Sequence, residues 1–279
     1  MTFTSKEISN QDGNTVALYL FKWGNTYWRY TSADRDILAF DDGTPGAPHD
    51  YTAVAITDSG MKQGGSSNND MTVNVQSDIP LLSLFRSTPP SGSIWLTIRR
   101  MHYDDGEALV HWVGTIGNVK PGDAESIIIC RSLLATFKKT GLRLCWTRGC
   151  AHMLYDSECR VDPADFAFLG TVTAKTGNSI TVSGAAAGQT LGYFNGGYIE
   201  WDANVDGTKD RRQINVATSV SVFTLVGTSD RIEIGMVLTF HPGCDLSTAT
   251  CDDKFDNLAN FGGLEQMSDE SPFDGKPIA

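Results

Sequence analysis

Residues 170–184 read GTVTAKTGNSITVSG: alternating Thr and Val, a Gly177-Asn178 pair, then Ile180-Thr181-Val182 in the same alternation. β-Branched residues at a period of two, broken by a Gly-Asn pair, specify two strands and a tight turn. The pattern continues outward through Tyr198-Ile199-Glu200-Trp201, Arg212-Gln213-Ile214-Asn215-Val216, Val220-Ser221-Val222-Phe223-Thr224-Leu225 and Val237-Leu238-Thr239-Phe240. Short strands so closely spaced predict a small barrel or sandwich over residues 167–240.

Upstream, strands are again expected. They fall at Ala17–Trp23 and Asn25–Thr31 (a hairpin across Gly24-Asn25), then at Thr52–Ile56, Met71–Val75, Ser93–Arg99 and Ala108–Ile116. Gly64–Asp70 has loop chemistry, and Pro80–Phe85 reads as a short helix. Ala124–Ile128 fits a helix or a strand equally well. The fold class is therefore mainly β. An N-terminal β-rich domain covers 1–149, the small β domain at 167–240 is inserted, and 150–166 together with 241–279 form a four-cysteine module. The acidic stretch after Met267 reads as an extended arm or a disordered end.

The formal net charge of -11 excludes sequence-independent binding to nucleic-acid phosphates. No apolar run reaches membrane-spanning length, and the polar N-terminal stretch lacks a signal core. The expected place of folding is the cytosol, where thiols stay free or bind metals. Phosphate-binding loops, dinucleotide fingerprints, nucleophile elbows and zincin helices are all missing, and no carboxylate pairs with a nucleophile, so the reading is non-enzymatic. Trp23, Trp28, Trp95, Trp112 and Trp201 fall on strand-like segments as core or interface anchors.

Four of the six cysteines flank the inserted unit. Cys150 and Cys159 enclose residues 151–158, Cys244 and Cys251 enclose 245–250, and 84 residues (160–243) separate the pairs. An unstructured loop of that length costs about 4 kcal/mol to close. A folded insert with adjacent ends avoids much of that cost and lets the pairs share one centre. The spacings leave three readings open: an iron–sulfur cluster, a zinc ion, or unligated core thiols. Both pairs are wider than the usual zinc knuckle, and a cubane accepts ligands from wider loops. Cys130 and Cys145 sit among apolar residues and read as small buried hydrophobes. His152 and His241 lie near the cysteines, with a surface or supporting role expected of each.

The stretch PGCDLSTATCDDKFDNLANFGGLEQM resembles the C-terminal signature of a phage tail-tip hub family, also found in gene transfer agents. Its pattern matches at Gly243, Cys244, Asp245, Cys251, Lys254, Phe255, Asn257, Asn260, Phe261 and Gly263. CAHMLYDSECRVD, Gly170–Ala174, Gly196-Gly197 and Trp28–Ile37 are similar to further segments of that family, with Ala33 where the family has His. The resemblance covers most of the chain and includes the iron–sulfur tail-tip proteins of lambda-like siphophages. It implies a structural virion component, a baseplate hub joining the distal tail protein to the central tail fibre or tip proteins. It also implies a homotrimeric ring assembled in the host cytoplasm, with no membrane span and no specific nucleic-acid binding. Carried over, it assigns Cys150, Cys159, Cys244 and Cys251 as ligands of a [4Fe-4S] cluster, with zinc the runner-up. The alternative is a soluble iron–sulfur or zinc-containing redox or adhesion β protein.

Overall fold

The computed structural model describes residues 15–40, 48–61, 70–103, 107–133, 135, 141, 146–204, 206–228 and 230–267. The chain packs as two compact units, residues 1–139 with 202–210 and residues 140–201 with 211–279. The expectations for Gly64–Asn69, for Cys145 and for the arm beyond Met267 lie outside the described residues.

The first unit is a nine-stranded sheet. In chain order its strands are β1 (Thr15–Trp23), β2 (Thr26–Thr31), β3 (Ile37–Ala39), β4 (His49–Ala53), β5 (Ile56–Asp58), β6 (Met71–Gln76), β7 (Trp95–His102), β8 (Ala108–Lys120) and β9 (Glu125–Ser132). They run β3-β4-β2-β1-β7-β8-β9-β6-β5 across the sheet. β1 is central and buried on both faces, which is why it reads as a continuous apolar run. Val16 and Leu18 face one core with Tyr51 and Met101, while Tyr19, Phe21 and Trp23 face the other with Leu96, Ile98 and Ile128. The β1–β2 hairpin turns at Gly24, whose φ of 57° suits glycine, and a Cβ there would lie 2.6 Å from Thr208 Oγ1. The 202–210 segment is stitched into this unit. Asn25 N donates to Thr208 Oγ1 (3.1 Å), Asn204 Nδ2 to Thr26 Oγ1 (2.8 Å) and Ser91 N to Asp210 Oδ1 (2.9 Å).

One expectation changes here and two become definite. The strand read over Thr52–Ile56 is divided between β4 and β5. Val54 N bonds to Thr31 O of β2, whereas Ala55 O accepts from Gln76 N of β6, so the chain changes neighbours in between. Pro80–Phe85 is a 3₁₀ helix, and the ambiguous Ala124–Ile128 run lies in strand β9. β3, only three residues long, carried no periodic signal.

The second sheet is a closed barrel, which settles the barrel-or-sandwich alternative. Its strands are β10 (Phe168–Thr176), β11 (Ser179–Gly184), β12 (Tyr198–Asp202), β13 (Lys209–Ser219), β14 (Val222–Leu225) and β15 (Val237–His241). They close in the order β10-β11-β14-β13-β12-β15. Val220-Ser221, read as the start of a strand, lies in the turn before β14. Inward residues alternate as the sequence reading requires, with Val172, Ile180, Val182, Ile199, Ile214, Phe223, Leu238 and Phe240 in one core. The first and last strands pair, Phe168 opposite Phe240 and Leu169 opposite Thr239. The chain therefore enters and leaves the barrel on neighbouring strands, and the flanking cysteine segments start side by side. No helix among the described residues is long and apolar enough to cross a membrane.

Candidate metal centre

Both cysteine loops are built from carboxylate-capped turns. After Cys150, the Asp156 carboxylate accepts from Met153 N (3.0 Å), Glu158 N (2.9 Å) and Cys159 N (2.6 Å). Those bonds, Cys159 N–H first, hold its carboxyl below the usual range. After Cys244, Asp245 accepts from both the hydroxyl (2.6 Å) and the N–H (2.9 Å) of Ser247, which lower its pKa. Ser247 in turn caps a short helix α1 (Thr248–Asp253), accepting from Thr250 N at 3.1 Å, and Cys251 lies on that helix. Among the described residues the non-glycine positions with positive φ are Tyr155, Arg160, Leu246 and Asp256, and all four belong to these loops. Backbone held in the left-handed region costs roughly 1–3 kcal/mol per residue, and such positions gather at functional sites.

Cys150, Cys159, Cys244 and Cys251 line one cavity with His152, Leu154, Val161, Leu246, Phe255, Asn257 and Asn260. Cys159 and Cys251 are buried, while Cys150 and Cys244 are partly exposed. N–H groups are directed at three of the sulfurs. Leu246 N lies 3.3 Å from Cys244 Sγ, Gly262 N lies 3.3 Å from Cys150 Sγ, and Asn257 Nδ2 lies 3.7 Å from Cys159 Sγ. Cys251 Sγ donates to Asn257 O at 3.3 Å. Burial pushes the Cys244 thiol pKa up against the opposing Leu246 N–H, and Asp245, Cys150 and Cys159 add to the rise. Cys251 is raised first by burial, then by Cys150, Cys244 and Cys159. Thiols gathered in this way form a donor set suited to a cationic centre.

Among the described residues, no three His, Cys, Asp or Glu side chains converge closely enough to hold one metal ion. Four cysteines that line one cavity, with N–H donors near three of the sulfurs, are the kind of donor set that an iron–sulfur cluster or a zinc ion takes.

The cysteine loops pack against barrel residues through Tyr155. Its ring packs edge-on against Tyr198, His241 and Phe255, and its hydroxyl donates to Pro242 O at 3.0 Å. His241 stacks on Tyr198 and does not line the cysteine cavity, whereas His152 does, with Nδ1 3.0 Å from Asn260 O. The Pro-Gly-Cys turn crosses the barrel backbone so closely that a Cβ on Gly243 would lie 2.2 Å from Asn195 O and 2.4 Å from Gly197 N. Lys254 clamps this crossing, donating to Tyr193 O (2.5 Å) and Gly243 O (2.7 Å) with its ammonium over the Tyr193 ring. Cys130 is buried in the sheet core, away from these loops in sequence and packing, and burial pushes its thiol up to about 12. Asp156, Lys254, Asn257 and Asn260 had no assigned role from sequence. The last three sit inside the quoted signature, and Asp156 could have been found from its Asx-turn position three residues before Cys159.

Residues 192–271 match the family described as phage conserved hypothetical protein BR0599, a span that begins in the barrel and runs through the second cysteine pair. No curated protein matches the sequence. Among solved structures, the chain is similar in fold to a component of a structure titled "Virion of native gene transfer agent (GTA) particle". The TM-score is 0.77 and the identity 18%, over 99% of this chain and 96% of that one.

Proposed function

We propose that this chain is a structural, non-enzymatic virion component, a hub at the tail tip of a phage or gene transfer agent. The observation that carries the virion role is the fold likeness to a gene transfer agent particle over nearly the whole of both chains. The match of residues 192–271 to a phage protein family supports it. As a hub, the protein forms a homotrimeric ring between the distal tail protein and the central fibre or tip proteins. Its acidic balance keeps such a ring from holding on to DNA as it passes. Cys150, Cys159, Cys244 and Cys251 hold a [4Fe-4S] cluster that fastens the loops to the barrel. That part is carried by two distant cysteine pairs lining one cavity. When bound, the cluster would supply an iron bond to each of the four thiolates, its positive core offsetting part of their charge.

Two measurements test the reading. Protein purified without air should contain about four irons and four sulfides per chain, and stoichiometric zinc with no iron would sink the cluster. Purified particles should contain the protein at their tail tip. Its absence from particles, or its presence only in the head, would overturn the hub.

A further inference from the structure

Asn257 is bonded to two of the four cavity cysteines through nearly every polar atom it has. Its side-chain Nδ2 donates to Cys159 O at 2.6 Å and lies 3.7 Å from Cys159 Sγ. Its backbone carbonyl accepts from Cys251 Sγ at 3.3 Å, and its N–H donates to Cys251 O at 3.0 Å. The amide is oriented from behind: Asn260 Nδ2 donates to Asn257 Oδ1 at 2.7 Å, which leaves Nδ2 facing Cys159. Asn260 O in turn lies 3.0 Å from His152 Nδ1. The two cysteines so joined come one from each pair and are the buried ones, at 8% and 7% exposed.

We propose that Asn257 is the positioning residue of this site, locking the inner thiols Cys159 and Cys251 against each other and directing an N–H at the Cys159 sulfur. The proposal rests on the cluster reading only for its redox consequence. The locking itself concerns the protein's own residues. Another residue type at 257 breaks distinct parts of it. Ala removes the amide and keeps the backbone bonds to Cys251. Asp keeps the size of the side chain but replaces the donor facing Cys159 with a carboxylate oxygen.

The experiment has two arms, each on wild type, Asn257→Ala, Asn257→Asp and Asn260→Ala. In metal-free, folded protein, alkylation of each cysteine is followed by mass mapping. Cys159 should react up to about tenfold faster in Asn257→Ala, the change in local opening expected for one lost hydrogen bond, and Cys251, which keeps its backbone bonds, should rise less. Asn260→Ala should give a smaller change in the same direction, and Cys130 should not change. Equal rates at Cys159 and Cys251 in all variants would overturn the proposal. In protein loaded with iron and sulfide, the cluster's midpoint potential is measured. Hydrogen bonds to sulfur stabilise the more negative reduced state. The potential should therefore fall in Asn257→Ala and fall further in Asn257→Asp, with iron content kept. A potential unchanged in both variants would remove the sulfur-directed role. A wild type that takes up no cluster would defeat the reading of the site, while the alkylation arm would still decide the positioning.

Discussion

The barrel and the cysteine loops beside it belong largely to one compact unit but hold together by different means. Among the described residues the barrel core contains fourteen buried side chains, whereas the cysteine loops share three: Cys159, Val161 and Phe255. At about 25 cal/mol per Å2 of apolar surface, the first can stabilise itself and the second cannot offset the entropy of ordering its loops. The loops depend instead on carboxylate turns and on a lysine clamp. Apolar burial tolerates change gradually, while a site made of directed bonds fails when one bond is removed.

The comparison can be broken first where the two parts cross. Gly243→Ala puts a Cβ against the Asn195 carbonyl and the Gly197 backbone nitrogen, neither of which can rotate away. The expected cost is more than about 4 kcal/mol, a size reserved for such named defects. Denaturant unfolding should show the loss, and iron binding should disappear with it. Phe223→Ala, in the barrel core, should cost about 3–5 kcal/mol and should weaken barrel and loops together, as read by the same titration.

Cys251→Ser should separate the two regions. Iron binding should fall to background, and amides in 150–160 and 244–262 should lose hydrogen-exchange protection while those of β10, β11 and β14 keep theirs. Uniform loss of protection would mean that the barrel needs the centre too. Lys254→Met removes two charge-assisted bonds from a half-buried ammonium and should cost about 2 kcal/mol, again mostly in the loops. The smallest effect is expected at Cys130. Its buried thiol, raised to about 12, should resist alkylation at neutral pH until the sheet unfolds, and Cys130→Ala should leave iron content unchanged.

How much of this was readable depended on whether a feature repeats. Strands with one buried face announce themselves at a period of two, which made the hairpin at Gly177-Asn178 plain, while β1, buried on both faces, was plain as an unbroken apolar run. β3 and the Val54-Ala55 change of partner were hidden, because three residues carry no period and a switch of neighbour leaves none. The four cysteines were readable as a set by type and spacing. Their support was not. Tyr155, Arg160 and Leu246 adopt left-handed backbone that their side chains disfavour, so composition argues against the geometry they hold. The bonding of Asn257 to both Cys159 and Cys251 depends on the amide's orientation, which the identity of a residue does not encode. Likewise the polar segment 202–210 looks like any hairpin turn, yet it packs into the first unit.

The pairing of β10 with β15 also sets a timetable for synthesis. Cys150 and Cys159 leave the ribosome long before Cys244 and Cys251, and at about 5–20 residues per second the 84 intervening residues take roughly 4–17 seconds. During that interval the early thiols have no partners and remain open to oxidants or stray metals. The barrel cannot close until β15 arrives, and β15 ends only three residues before Cys244. Closure of the barrel and arrival of the second pair are thus nearly one event. A half-made site persists only as long as a half-made barrel.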